Sequence, residues 1–252
     1  MERSVLLRDS IEEEKKSSIY SEADRIVLDE LLEEINAFTG TDFHYLAELN
    51  AYNIKGSGPI MAKYVERFDS LTIKAVLLMQ IVVDKVPKAA ELTLKSYFEF
   101  KNSDEYIASP GSPAPAFIFV QYDNMFIKLR PKRLKKELFE LVNNPRDAYY
   151  LPLTTQMLAS WKIPGMKELA FRYFFSENVS AADCGFTTED EYVDRQMGYI
   201  RRELKFHGIN CLGYFAEQEV LDFLNEYVDD PDKDIQMCIK KNIKKIEKKL
   251  LK

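Results

Sequence analysis

Three aspartates open the stretch VDDPDKDIQMCIKKNIKKI (228–246), where Asp230, Asp232 and Asp234 alternate as the first oxygen ligands of a calcium loop would. An EF-hand loop beginning at Asp230 needs a glycine at its sixth position and a glutamate at its twelfth. Those positions hold Ile235 and Lys241, and lysines crowd the segment that follows. The same aspartates suit another task. Asp accepts hydrogen bonds from the free N–H groups at a helix start and favours the positive end of the helix dipole, while lysines downstream complement the negative end. The spacing predicts a capped helix after Pro231 rather than a metal loop.

Other chemistry-bearing side chains are sparse. His44 and His207 are the only two histidines. His207 and Cys211 have a ligand-like spacing, but two further ligands are missing and Gly-Ile-Asn breaks the pair, so a surface histidine and a packed cysteine are expected. No GxSxG elbow, P-loop or dinucleotide fingerprint occurs, and Gly56-Ser57-Gly58 reads as a turn. No catalytic, cofactor-binding or metal-binding residue is assigned, and a non-enzyme without a cofactor is expected. Cys184, Cys211 and Cys238 are odd in number, 27 residues apart, and form no CxxC pair. The opening MERSVLLRDSIEEEKK has no apolar core of a secretory leader, so reduced thiols and a cytoplasmic protein are expected. The longest apolar run, 73–83, is too short for a bilayer, which needs about 20 residues, so no membrane partner is expected.

The net charge of −6 is unevenly spread. Residues 1–50 hold 13 acidic and 5 basic side chains, whereas the last fifteen hold seven lysines and one glutamate. A polar outer face on a terminal structural unit is favoured over phosphate binding as the reason for the lysine run. Opposite charge at the two ends would also permit weak, salt-sensitive head-to-tail association of an otherwise monomeric chain.

The elements that must position these residues are helical. In YSEADRIVLDELLEEINAF, Ile26, Leu28, Leu31, Leu32 and Ile35 cluster near a 3.6-residue repeat, with Ser21 as N-cap. A short helix is expected within 42–52, and Pro59 suits the first turn of the next. Helices follow at 59–68, 71–83 and 88–100, then a Pro/Gly/Ser-rich surface loop at 101–115. Residues 116–130 contain FIFVQY, which alone would pass for a strand; length and neighbours favour a buried helix. Further on, PKRLKKELFELV, AYYLPLTTQMLASW and MKELAFRYFF read as helices separated by NNPRD and KIPG turns. Residues 177–187 are irregular, a long charged helix occupies about 186–208, and a last pair ends the chain. Pairs recurring every roughly 35–45 residues predict an all-α fold, an α-α superhelix of antiparallel helix pairs.

At the last pair the chain resembles the HEAT-repeat family, especially its degenerate bacterial forms related to phycobilisome-lyase-like repeats. Asp230, Pro231 and Asp232 match the family's turn, Ile235 its Val position, Ile243 and Ile246 the late aliphatic positions, and Cys238 a small-residue slot; Ile239 shares the apolar face. Gln236 stands where the family carries the Arg of an Asp–Arg ladder. An earlier unit keeps Asp69, Ile73 and Lys74 in equivalent places. The resemblance spans 56–252, with 1–55 as an acidic helical cap and the helix at about 186–208 as an insertion. It implies a curved stack of helix pairs and a non-catalytic scaffold that binds a protein partner through its concave face. Trp161, Tyr199, Arg201 and Arg202 are the candidate partner contacts. The alternative is a nucleic-acid-binding or DNA-repair protein resembling the HEAT-like alkylpurine DNA glycosylases. Such proteins need a cationic groove, and this chain is acidic with only a terminal basic cluster, so nucleic acid is disfavoured. A chromophore-lyase or immunity-type binding protein would look the same in sequence as the scaffold.

Overall fold

The computed structural model describes residues 11, 20–52, 54–103, 113–188 and 190–251. Among them are thirteen α-helices and no strand, so the fold is all-α. The chain divides into two compact units, Met1–Ser103 and Asp104–Lys252.

In the first unit, α1 (Glu22–Thr39) starts on Ser21, whose hydroxyl accepts from the Asp24 N–H at 3.0 Å. It stops at Gly40, whose left-handed φ of 70° a residue without Cβ adopts cheaply. The buried stripe is Val27, Leu28, Leu31, Leu32 and Ile35; Ile26 faces solvent, contrary to the sequence expectation. Asp24 takes the buried place one turn before Leu28. Its carboxylate accepts from the backbone N–H of Asp69 at 2.7 Å and of Ser70 at 3.2 Å, satisfying the approach to α4 (Leu71–Val83). Between them lie α2 (Leu46–Tyr52) and α3 (Gly58–Tyr64), and α5 (Ala89–Lys101) ends the unit. α1 packs on α3, α3 on α4 and α4 on α5, so residues on both sides of position 55 share one body. Asp84, capping α4, accepts from the N–H groups of Gly56 (3.0 Å) and Gly58 (2.8 Å) and from Gln80 (3.0 Å). Burial opposes its ionisation, but the Gln80 amide and these two N–H groups outweigh burial and hold its pKa below the usual range.

The second unit opens with α6 (Pro113–Leu129), so the segment with a strand-like core is helical. Pro113–Pro115 belong to this helix rather than to the loop read at 101–115, and 104–112 lie outside the described residues. Next come α7 (Lys135–Val142), α8 (Pro145–Tyr150) and α9 (Pro152–Ser160). The NNPRD segment read as a turn therefore starts a helix. Asn144 accepts from the N–H groups of Arg146 (3.0 Å) and Asp147 (3.3 Å), Pro145 pre-sets the first turn, and Pro152 ends the helix and begins the next. The rest is α10 (Met166–Phe174), α11 (Glu191–Leu212), α12 (Gln218–Glu226) and α13 (Lys233–Leu250).

The segment read as an insertion is α11, which packs on α8, α9, α10 and α13 and meets α10 most extensively. The reason is local. A Cβ on Gly208 would stand 2.6 Å from the Ala170 carbonyl and 2.7 Å from the Phe174 nitrogen, so only glycine lets the two backbones approach this closely. Phe174 then meets Phe223 and Tyr227 of the α12 region edge-on, with centroids 4.7 and 4.8 Å apart. α9, α11 and α13 lie against one another in chain order; α7 backs α9, α10 backs α11 and α12 backs α13.

Candidate functional site

Two helix starts in this fold are tied to earlier helices by buried carboxylates. Asp24 serves α4, and Asp123 of α6 serves α9, accepting from the N–H groups of Leu153 (2.9 Å) and Thr154 (2.7 Å) and the Thr154 hydroxyl (2.6 Å). Burial raises the Asp123 pKa to about 6 against the pull of these donors.

The start of α13 is tied to an earlier helix the other way round: its own aspartates cap it, and cations of α11 reach them. Asp232 caps the helix, accepting from the N–H of Asp234 at 2.9 Å and of Ile235 at 3.3 Å. Asp230 accepts from the Asp232 N–H at 2.9 Å and from Lys205 Nζ at 2.5 Å. Arg202 of α11 donates to Asp232 at 2.7 Å and to Asp234 at 2.6 Å, and its hydrogen bond holds the Asp232 carboxyl below the usual range. An Asp–Arg contact therefore exists although position 236 is Gln: the arginine comes from the preceding helix of the layer. Every carboxylate of the suspected calcium loop faces a cation or an N–H. No cluster of three His, Cys, Asp or Glu side chains placed to hold a metal occurs among the described residues.

Below the cap, Ile235, Cys238, Ile239, Ile243 and Ile246 are buried, Ile239 and Ile246 completely. Pro231 is exposed beside the cap. In the first unit Ile73 is fully buried, the Asp69 N–H donates to Asp24, and Lys74 pairs with Glu99 at 2.6 Å.

Of the four candidate contacts, Arg201 is spent internally, donating Nε and Nη2 to the Val179 carbonyl at 3.0 and 2.8 Å. Arg202 is engaged with the aspartates but its side chain stays 39% exposed. Tyr199 is 59% exposed on α11, and Trp161, half-buried, caps the end of α9. The structure brings Arg202 into an open groove of about 560 Å³ across the α9–α11–α13 face. Its walls include Gln156 of α9, Glu203, Phe206 and Asn210 of α11, and Met237 and Lys241 of α13. Met237 is 63% exposed, an apolar side chain left in water. Gln156 has no hydrogen-bond partner among the described residues. Asn210 donates to the Phe206 carbonyl at 3.1 Å and accepts from Asn242 at 3.4 Å, which stiffens the groove floor. Met237, Phe206 and Gln156 escaped the sequence reading because they come from three helices; an exposed Met on an otherwise lysine-rich face was the one available signal.

His207, expected at the surface, is buried at the α10–α11 crossing; burial lowers its pKa to about 4, and its Nδ1 finds no partner among the described residues. The thiols of Cys184, Cys211 and Cys238 are buried, and burial pushes them to about 11, 12 and 11. No described helix is long and apolar enough to cross a membrane. No protein-family model, no curated protein and no solved structure matches this chain.

Proposed function

We propose that the second unit is a non-catalytic protein-binding module whose partner docks an extended segment in the α9–α11–α13 groove. The groove's exposed Met237 and unpartnered Gln156 carry this reading. An apolar anchor beside a free amide suits a segment that buries one side chain and hydrogen-bonds along its backbone. The layer of α9, α11 and α13, each backed by another helix, supports a HEAT-like stack with the groove on its inner face. A cytoplasmic setting and the absence of catalysis belong to the same proposal. Neutral, buried thiols and a neutral, buried His207 support both, since a nucleophile or general base needs access and a pKa near working pH. Duplex DNA is disfavoured in the groove because Arg202 and Lys241 are matched there by Glu203 and Asp234.

The test is selection of peptides from a random display library against the full chain. Selected peptides should lose about tenfold in affinity, about 1.4 kcal/mol, on Met237→Asp or Gln156→Arg. The melting temperature should hold, because neither side chain is buried. Peptides that bind both variants undiminished, or retention of the protein on duplex DNA at physiological ionic strength, would overturn the reading.

A further inference from the structure

Most cations of the second unit that lie along α10 and α11 have carboxylate partners: Lys167 with Glu217 at 2.8 Å, Arg202 with Asp232 at 2.7 Å, Lys205 with Asp230 at 2.5 Å. Lys132, Lys135, Lys162, Lys245 and Lys249 have none among the described residues. Lys132 and Lys135 stand at the start of α7 and Lys162 on the turn after α9, and these three converge with Trp161 and Pro164 on a cavity of about 370 Å³. The C-terminal turns of α13 add to the same charge. Lys249 donates to the Gly213 carbonyl at 3.2 Å, and burial together with the nearby Lys162 lowers its pKa. Lys245 lies 3.6 Å from the centre of the Tyr214 ring, and burial, Lys249 and Lys241 lower its pKa. Positive charge here is concentrated and unrelieved, in a chain whose net charge is −6.

Two further observations narrow the ligand. The cavity has the volume of a small-molecule site, at the lower end of the roughly 300–1,000 Å³ such sites occupy. Its lysines converge instead of tracking a line of phosphates. Half-buried Trp161 supplies an aromatic wall, and its indole N–H has no acceptor among the described residues. An inorganic anion would use the lysines and leave the ring idle; a nucleotide uses both, since every base has a face that stacks on an aromatic side chain.

We propose that this cavity binds a nucleoside di- or triphosphate, its phosphates among Lys132, Lys135 and Lys162 and its base against Trp161. The site shares no residue with the peptide groove and does not depend on that reading.

Trp161 is the only tryptophan, so its emission reports on this cavity alone. The full chain is titrated at physiological ionic strength with adenosine triphosphate, tripolyphosphate and a single-stranded oligonucleotide, following Trp161 emission and, in parallel, heat. The nucleotide should saturate, tripolyphosphate should bind more weakly, and Lys135→Glu should weaken the nucleotide about tenfold. Lys162 has a left-handed φ of 51°, which glycine adopts more easily. Lys162→Gly should therefore weaken binding without lowering the melting temperature, separating lost contact from lost fold. Lys136→Glu, exposed outside the cavity, should bind as wild type. No saturation by either readout, equal affinity for tripolyphosphate and the nucleotide, or undiminished binding by Lys162→Gly would each sink the proposal. Saturation by the oligonucleotide alone would replace it with a strand-binding surface.

Discussion

At its N-terminus α13 meets Arg202 and Lys205 of α11, each closed on a carboxylate of Asp230, Asp232 or Asp234. At its C-terminus Lys245 and Lys249 meet the Tyr214 ring, the Gly213 carbonyl and one another's charge. Both ends complement the helix dipole, yet among the described residues only the first is neutralised by carboxylates. Charge at the acidic end is used to set α13 against α11. Charge at the basic end is held in reserve, with lysine pKa values already lowered by burial and mutual repulsion. The two ends of one helix therefore differ in how their charge is satisfied: by carboxylates at the first, by an aromatic ring and a carbonyl at the second.

Five experiments break or sharpen this contrast. The largest effect is expected at the seam the two ends share. Ile239→Asp buries a carboxylate with no partner at a fully buried position and should cost at least about 4 kcal/mol in chemical denaturation. A loss under 1 kcal/mol would remove the seam from the core.

Next comes a carboxylate that has N–H and hydroxyl donors but no cation among the described residues. Asp123 is raised to about 6 from 3.8, so its share of stability is present below about pH 4 and is lost as pH rises through about 6. His207 is lowered to about 4 from 6.5, so its share is present above about 6.5 and is lost as pH falls through about 4. Each slope is worth at most about 3 kcal/mol and they oppose one another. These two slopes should largely cancel in the wild type, leaving the acid-side loss that Asp84 and Asp232, held below the usual range, contribute at the low end of the window. Asp123→Asn should tilt the denaturation midpoint down toward acid and His207→Leu should tilt it up; parallel curves for all three would refute the assignment.

Asp230→Ala strips Lys205 of a partner whose own side chain is 7% exposed. Because Lys205 can swing toward solvent, the expected loss is about 1–2 kcal/mol, read as a lower denaturation midpoint. An unchanged midpoint would make the acidic end as dispensable as the basic one. The smallest effects are at the other end. Lys245→Gln should shift the denaturation midpoint by no more than the equivalent of about 0.5 kcal/mol, because relieved repulsion from Lys249 and Lys241 offsets the lost contact with the Tyr214 ring. Calcium should leave the melting temperature where it was, since the three aspartates are already engaged; a clear rise would restore the metal reading.

Much of the helical layout was legible in the chain. Periodicity and Ser/Asp caps place α4 at Leu71–Val83, start α1 on Ser21 and start α13 on Asp232. Local signals misled where a tertiary partner outbid them. Ile26 fits the apolar stripe of α1 by spacing, but the buried place goes to Asp24, which is needed by the N–H groups at residues 69 and 70. His207 looked like a surface residue because nothing nearby in the chain tells of the α10 backbone pressed against Gly208. Of the peptide groove and the lysine cavity, only Arg202 and Trp161 were named from the sequence as candidate contacts, because the groove gathers residues from three helices and the cavity from two separate segments.

By itself the sequence determined that this protein is helical, where most helices begin, and that its two ends differ in charge. Those properties follow from neighbours within a few positions: periodicity, caps, prolines and charge runs. Only the tertiary structure decided which charges are consumed and which are left over. Neutralisation depends on distances between helices some thirty residues apart, such as Arg202 to Asp232, and no local pattern encodes those distances.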